Sequence, residues 1–248
     1  MKEFEYILKL NKNAGIKNCY HNLPQNRLEQ QRNIKKSSSS MTQKNIVSDS
    51  PYEKAKYLAD SATNLDDLRN SVQKYDGLII KKTAMKTVFS DGNPNAGIML
   101  IGEAPGANED KYGIPFCGQS GKLLDNILLS IGLDRTKVYI SNTVFWRPPG
   151  NRRPTPEEIK LCKPFVEKHI ALINPKLIIL VGGTAVESLL NIKSPITMLR
   201  KSYFEYGNKY LENHIKTSII FHPSYLLRQP LQKKLMWFDI LKIKKDLM

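Results

Sequence analysis

Residues 98–131 read IMLIGEAPGANEDKYGIPFCGQSGKLLDNILLSI. The segment opens on four consecutive apolar side chains, crosses a stretch of Gly, Pro and acidic residues, and closes on a helically spaced apolar pattern over Ser120–Ile131. An apolar run without alternation fits a strand covered on both faces, and the later spacing fits an amphipathic helix. The same two patterns recur. Strand-like runs stand at Val138–Ser141 (VYIS), Leu177–Val181 (LIILV) and Ser218–Phe221 (SIIF), with helical stretches at Thr155–Ile173 and Thr184–Leu190 between them. Thr155 and Glu158 supply the capping-box spacing for the longer of these helices. Strands alternating with helices predict an α/β chain, a three-layer α/β/α sandwich around a central four-stranded parallel sheet. In such sheets ligands bind beyond the carboxyl ends of the strands.

Upstream, Ser50-Pro51 reads as an N-cap followed by Pro at the first helical position, and Asn64 starts a second short helix. Residues 22–50 are dominated by Asn, Gln, Ser and Lys, too polar to offset the entropy of ordering. Residues 1–50 are therefore expected to be a basic, largely disordered extension, with the folded domain over 51–248. Downstream, a basic amphipathic helix is expected from about Leu226 to the C-terminus.

The 248 residues carry 38 Lys+Arg against 23 Asp+Glu, a net charge of +15. Residues 1–50 hold nine Lys/Arg and four Asp/Glu, so most of the excess belongs to the domain. That bias favours a polyanionic partner, nucleic acid before anionic membrane. No apolar run approaches the roughly 20 residues of a membrane span, and the N-terminus breaks its short apolar stretch with Lys and Glu. Three scattered cysteines, Cys19, Cys117 and Cys162, argue against a disulfide framework and for a reducing, cytoplasmic setting.

The chemistry-bearing residues cluster after the strands. Gly102-Glu103-Ala104-Pro105-Gly106-Ala107-Asn108-Glu109-Asp110 follows the first, bringing three carboxylates to one strand end. The sequence GQSGK ending at Lys122 is not a P-loop, because Phe116 and Leu123 stand where that motif needs Gly and Ser or Thr. Gly118 and Gly121 are instead expected to let backbone approach a ligand at a helix N-terminus. Asn142 follows the second strand and leads into Arg147-Pro148-Pro149-Gly150-Asn151-Arg152-Arg153-Pro154, a stiff arginine loop suited to phosphates. His222-Pro223-Ser224-Tyr225-Leu226-Leu227-Arg228 follows the last strand, which puts His222 on the sheet edge that carries Glu103 and Asn142.

These four segments, in this order and spacing, resemble the family-four uracil-DNA glycosylases of bacteria and archaea over most of residues 88–228. The resemblance implies an enzyme of base-excision repair that flips uracil out of DNA and hydrolyses its N-glycosidic bond, leaving an abasic site. It implies Phe116 as stacking platform, Asn142 as the amide that reads the uracil edge, and Gly102 and Ala104 beside them. His222 matches the residue that donates to uracil O2 as negative charge builds there. Glu103 and Glu109 are the carboxylates for the sugar or the water, since Ala104 stands where better-known relatives place Asp. Arg147, Arg152, Arg153, Ser224 and Arg228 are the expected DNA contacts, and Leu226 or Leu227 the wedge.

Family-four enzymes hold a four-iron four-sulfur cluster on four cysteines. Here Tyr75, Leu78 and Trp146 occupy three of those positions and only Cys162 is retained. No cluster, metal or other cofactor is expected, and the three replacements are expected to pack together, with Cys162 and Cys117 as buried apolar residues. The expected partner is uracil-containing DNA, met by a monomer without membrane attachment. Two alternatives are a glycosylase for another deaminated base, hypoxanthine or xanthine, and a homologue that binds DNA or abasic sites without turnover.

Overall fold

The computed structural model describes residues 50–247. The N-terminal extension expected over residues 1–50 lies, but for Ser50, outside the described residues.

Ser50 accepts the Glu53 N–H at 3.2 Å and starts α1 (Pro51–Ser61); Asn64 accepts the Asp67 N–H at 2.9 Å and starts α2 (Leu65–Lys74). A short α3 (Ile79–Thr83) precedes the sheet. Next come β1 (Asp91–Gly92), β2 (Ile98–Gly102), α4 (Ala107–Tyr112), α5 (Gln119–Leu129), β3 (Tyr139–Asn142) and α6 (Pro156–Ile173). They are followed by β4 (Leu177–Val181), α7 (Gly183–Leu190), α8 (Ile196–Leu199), β5 (Phe204–Tyr206), β6 (Ile215–Ile220), α9 (Pro223–Arg228) and α10 (Lys233–Leu247).

The strands lie in the order β1-β3-β2-β4-β6-β5. The inner four are parallel, as the apolar runs predict, and the edge strands β1 and β5 pair antiparallel with β3 and β6. The sheet thus has six strands, two more than expected, because edge strands of two and three residues are too short to show a period. Side chains alternate between two cores. Met99, Ile101, Ile178, Leu180 and Ile219 pack against α1, α2, α6 and α7, while Leu100, Ile140, Ile179, Val181 and Ile220 pack against α5, α9 and α10. Each fully buried Leu or Ile contributes about 1.5–3 kcal/mol, so both layers are strongly held to the sheet.

From β2 the chain steps to one neighbour, β3, then crosses back over β2 to β4 on its other side. The helices after β2 and β4 therefore leave toward opposite faces and open a crevice at the carboxyl ends of these strands. The expected single C-terminal helix is broken. Pro230 lacks an N–H and locks φ, so α9 stops at Arg228, a 3-10 turn spans Pro230–Gln232, and α10 restarts at Lys233.

Candidate active site

The crevice holds a cavity of about 500 Å³, lined among others by Glu103, Phe116, Asn142, His222, Leu227 and Arg228. The register of the sheet builds its floor. Gly102 ends β2 opposite Asn142 at the end of β3. A Cβ on Gly102 would stand 2.5 Å from both Asn142 Oδ1 and the tip of the Phe116 ring, so only glycine lets both side chains close over this strand end. Asn142 is 2% exposed and its Oδ1 meets no donor among the described residues. A buried acceptor left bare costs about 1–3 kcal/mol, which a ligand N–H would recover.

Phe116 is buried at φ 52°, in the left-handed region that a bulky residue rarely enters. Such a conformation costs about 1–3 kcal/mol and persists only where its surroundings enforce it. Its ring centre lies 5.6 Å from that of His222, the planes inclined by 32°, so the rings form two walls of one slot. Gly121, expected to approach a ligand, is instead required by Phe116: a Cβ there would lie 1.6 Å from the Phe116 carbonyl oxygen.

His222 caps α9 by its own ring. The Ser224 N–H donates to Nδ1 at 3.2 Å, and the Ser224 hydroxyl lies 2.8 Å from the same atom. An N–H can only donate, so Nδ1 is the acceptor and the neutral ring carries its proton on Nε2. Burial, with the Arg228 cation adding to it, pushes the His222 pKa down to about 4, against a smaller opposing pull from Glu109. The ring is therefore a neutral donor at physiological pH. Gly182, at φ 96°, brings the end of β4 within 3.1 Å of the His222 Cβ, measured from the position its own Cβ would take.

The two glutamates are held differently. Glu103 accepts the Thr184 hydroxyl on Oε2 at 2.5 Å, and its backbone carbonyl accepts from the Thr143 hydroxyl at 2.6 Å and the Val144 N–H at 3.2 Å. Its Oε1 has no protein donor among the described residues. Glu109 uses both oxygens: Oε2 accepts the Gly106 N–H at 3.1 Å and Oε1 the Gly118 N–H at 2.9 Å. It clasps the loop after β2 to the start of α5. The Gly118 amide, expected to face a phosphate, is used in that clasp. Asp110, the third carboxylate of the segment, is buried and accepts the Met85 and Lys86 amides at 2.7 and 3.2 Å.

The arginine loop is stapled to its own domain. Arg147 donates to Asn151 Oδ1 at 2.7 Å, Arg152 grips Glu158 through two bonds of 2.8 and 2.6 Å, and Arg153 bonds Glu187 at 2.7 Å. All three arginines keep part of their side chains in solvent. Arg228 stands at the cavity mouth with no ion-pair partner among the described residues. Leu226 is not at the surface: it is fully buried among α5 and α10, whereas Leu227 is 42% exposed on the cavity side. Successive helical positions point about 100° apart, so one leucine of the pair goes to the core and the next to the mouth. Ala104 and Ser224 line the same cavity, as do Asn108, Gln119 and Ser120, polar residues that carried no pattern of their own in the sequence.

The motif segments thus converge on one slot, and similarity to known proteins points the same way. Residues 89–242 match the uracil DNA glycosylase superfamily. The chain belongs to that superfamily. It is 36% identical to a Type-4 uracil-DNA glycosylase of Archaeoglobus fulgidus over 67% of this chain and 85% of that one. Identity to the Type-4 enzyme of Sulfurisphaera tokodaii is 40%, covering 64% and 73%, and to that of Thermotoga maritima 43%, covering 57% and 71%.

The iron–sulfur cluster that the family-four resemblance brings with it does not fit the residues present. The whole chain has three cysteines, one short of the four thiolates required. Tyr75, Leu78, Trp146 and Cys162 are all buried in one core cluster. Tyr75 packs edge-on against Phe165 at 5.3 Å and donates to the Pro51 carbonyl at 3.0 Å, while Trp146 donates to Thr87 Oγ1 at 3.0 Å. Cys162 is fully buried, and that burial pushes its thiol up to about 12. Cys117, expected to be buried, is only partly buried, next to the left-handed backbone of Phe116.

Proposed function

We propose that this chain is a uracil-DNA glycosylase of base-excision repair that acts on uracil flipped out of DNA. The observation that carries the proposal is the bare Oδ1 of Asn142, buried at the floor of the slot bounded by Phe116 and the neutral His222 ring. One amide offers an acceptor to N3–H and a donor to O4, the pattern on the uracil edge. Cytosine presents a bare N3 and a 4-amino group, which reverses both partners and leaves buried groups unpaired.

In this mechanism Phe116 stacks on the extruded base and Asn142 fixes its edge. The bond between C1′ and N1 breaks with its electron pair moving into the uracil ring and onto O2. His222 Nε2–H donates there, an interaction that strengthens as the charge develops and so lowers the barrier. Water adds to C1′ of the cation-like sugar and loses its proton to a carboxylate. Glu103 fits that task better than Glu109, because Thr184 orients one of its oxygens and the other is uncommitted, whereas both Glu109 oxygens accept backbone amides. Leu227 fills the gap left by the base, with Arg228 and Ser224 on the backbone and the arginine loop adding salt-sensitive affinity. The enzyme works as a single chain in the cytoplasm, without an iron–sulfur cluster; its described cysteines are unpaired. Among the described residues no helix is long and apolar enough to cross a membrane.

The test is uracil release from a uracil-containing oligonucleotide, read as alkali-induced strand scission, beside a hypoxanthine control. Scission by the wild type that disappears in Asn142→Ala and His222→Ala is expected. Salt-sensitive DNA binding without scission would overturn the catalytic proposal in favour of a binding module.

A further inference from the structure

The left-handed backbone at Phe116 needs a restraint from outside its own loop. Arg135 supplies one from the turn between α5 and β3. One Nη donates to the Pro115 carbonyl at 3.1 Å and the other to the Phe116 carbonyl. The same guanidinium reaches Asp125 of α5 through Nε at 2.9 Å and Nη2 at 3.4 Å, and Asp91 of β1 through Nη1 at 2.5 Å. All five donors of the fork are thereby used, in a planar geometry that an ammonium cannot copy. The Phe116 carbonyl oxygen, held by the Arg135 fork, also lies close against Gly121 in the first turn of α5, where a Cβ would stand 1.6 Å from it. Arg135 itself is not among the residues lining the cavity.

We propose that Arg135 is the positioning residue of the base slot, clamping the Pro115 and Phe116 carbonyls to Asp91 and Asp125 and thereby fixing the stacking ring opposite Asn142 and His222. The proposal rests on the uracil-release mechanism, in which Phe116 is the stacking platform. Arg135 touches neither base nor DNA in this role and acts through Phe116 alone.

A double-mutant cycle tests it. Arg135→Gln is expected to slow single-turnover uracil release by about tenfold to a hundredfold, since a displacement of roughly 1 Å at a reacting group has that effect. Arg135→Lys is expected to fall between, and affinity for thymine-containing DNA of equal length to stay within about twofold. In a Phe116→Ala background the Arg135→Gln change should alter the rate by less than about twofold, because residues acting as a unit are non-additive. An equal loss in both backgrounds would overturn the proposal, since damage unrelated to Phe116 is additive. A second readout needs no activity: in a Cys19→Ser background, thiol labelling of Cys117, next to Phe116, should quicken at least about fivefold in Arg135→Gln as the loop opens. A wild type that releases no uracil would refute the glycosylase mechanism, and the labelling rate alone then decides the clamp: unchanged labelling overturns it.

Discussion

The Thr184 hydroxyl donates a 2.5 Å hydrogen bond to Oε2 of Glu103, joining the loop that leaves β2 to the first turn of α7, where the sheet changes its winding direction. Thr184 is buried, so its hydroxyl has little freedom to point elsewhere. A carboxylate that must orient a water is useful only when its own rotamer is fixed. Thr184→Val keeps the volume and removes the donor. Single-turnover uracil release is expected to fall by about tenfold, with Thr184→Ser restoring most of it. Rates of the three proteins at equal DNA saturation check this, and an unaffected valine variant would remove Glu103 from the water-orienting role.

The tautomer of His222 has a pH signature. Its folded pKa, lowered from 6.5 to about 4 chiefly by burial, means that the ring stays neutral as pH falls through the ordinary histidine range. Uracil release should therefore show no inflection near 6.5 from this group and lose activity only as the pH approaches about 4. Arg228 lowers the same pKa, so Arg228→Gln should move the acid limb of the single-turnover profile upward. The linkage has a matching sign: between these two values the unfolded chain takes a proton that the folded ring refuses, so stability is lost as the pH falls below 6.5. An acid limb that Arg228→Gln leaves in place would assign it to another group.

The pair Leu226-Leu227 separates core from cavity mouth. Leu226 is fully buried, and Leu226→Ala should cost about 2–5 kcal/mol in denaturant unfolding. Leu227 is 42% exposed at the cavity mouth, so Leu227→Ala should leave stability within about 0.5 kcal/mol. In the proposed mechanism its effect belongs to extrusion: release from duplex DNA is expected to fall about tenfold, and release from single strands, which have no stack to hold open, should hardly change. Equal losses on both substrates would exclude the wedge.

How much of this was legible beforehand depended on whether a residue's role is written in a pattern. The four parallel strands announce themselves because burial on both faces leaves continuous apolar runs. The strands Asp91–Gly92 and Phe204–Tyr206 are too short for any period, and the break at Pro230 hides inside an otherwise good amphipathic pattern. Phe116, Asn142 and His222 follow strands or a glycine-rich turn, so topology alone places them near one another. Pairings are another matter. That Glu109 spends both oxygens on backbone amides, or that Arg152 belongs to Glu158, follows from where loops cross in space. Arg135, a single cation in a turn, has nothing in its neighbours to mark it.

The region of Tyr75, Leu78, Trp146 and Cys162 gives the last prediction. In a protein held by a metal cluster, ligand thiolates supply folding energy and their removal by oxidant or chelator unfolds the region. Here the same place is closed by aromatic and aliphatic packing, with Trp146 1% exposed and its indole N–H satisfied by Thr87. Stability should therefore depend on volume rather than on metal. The purified protein is expected to show no visible absorption of an iron–sulfur chromophore, and its melting temperature should be unmoved by chelator or by air. Trp146→Ala should cost about 3–5 kcal/mol, because it leaves a cavity in a core cluster that cannot collapse freely. Trp146→Phe, which retains most of the ring volume, should cost less than the alanine variant. Brown colour that survives purification, or a melting temperature that drops with chelation, would show that metal holds this region after all.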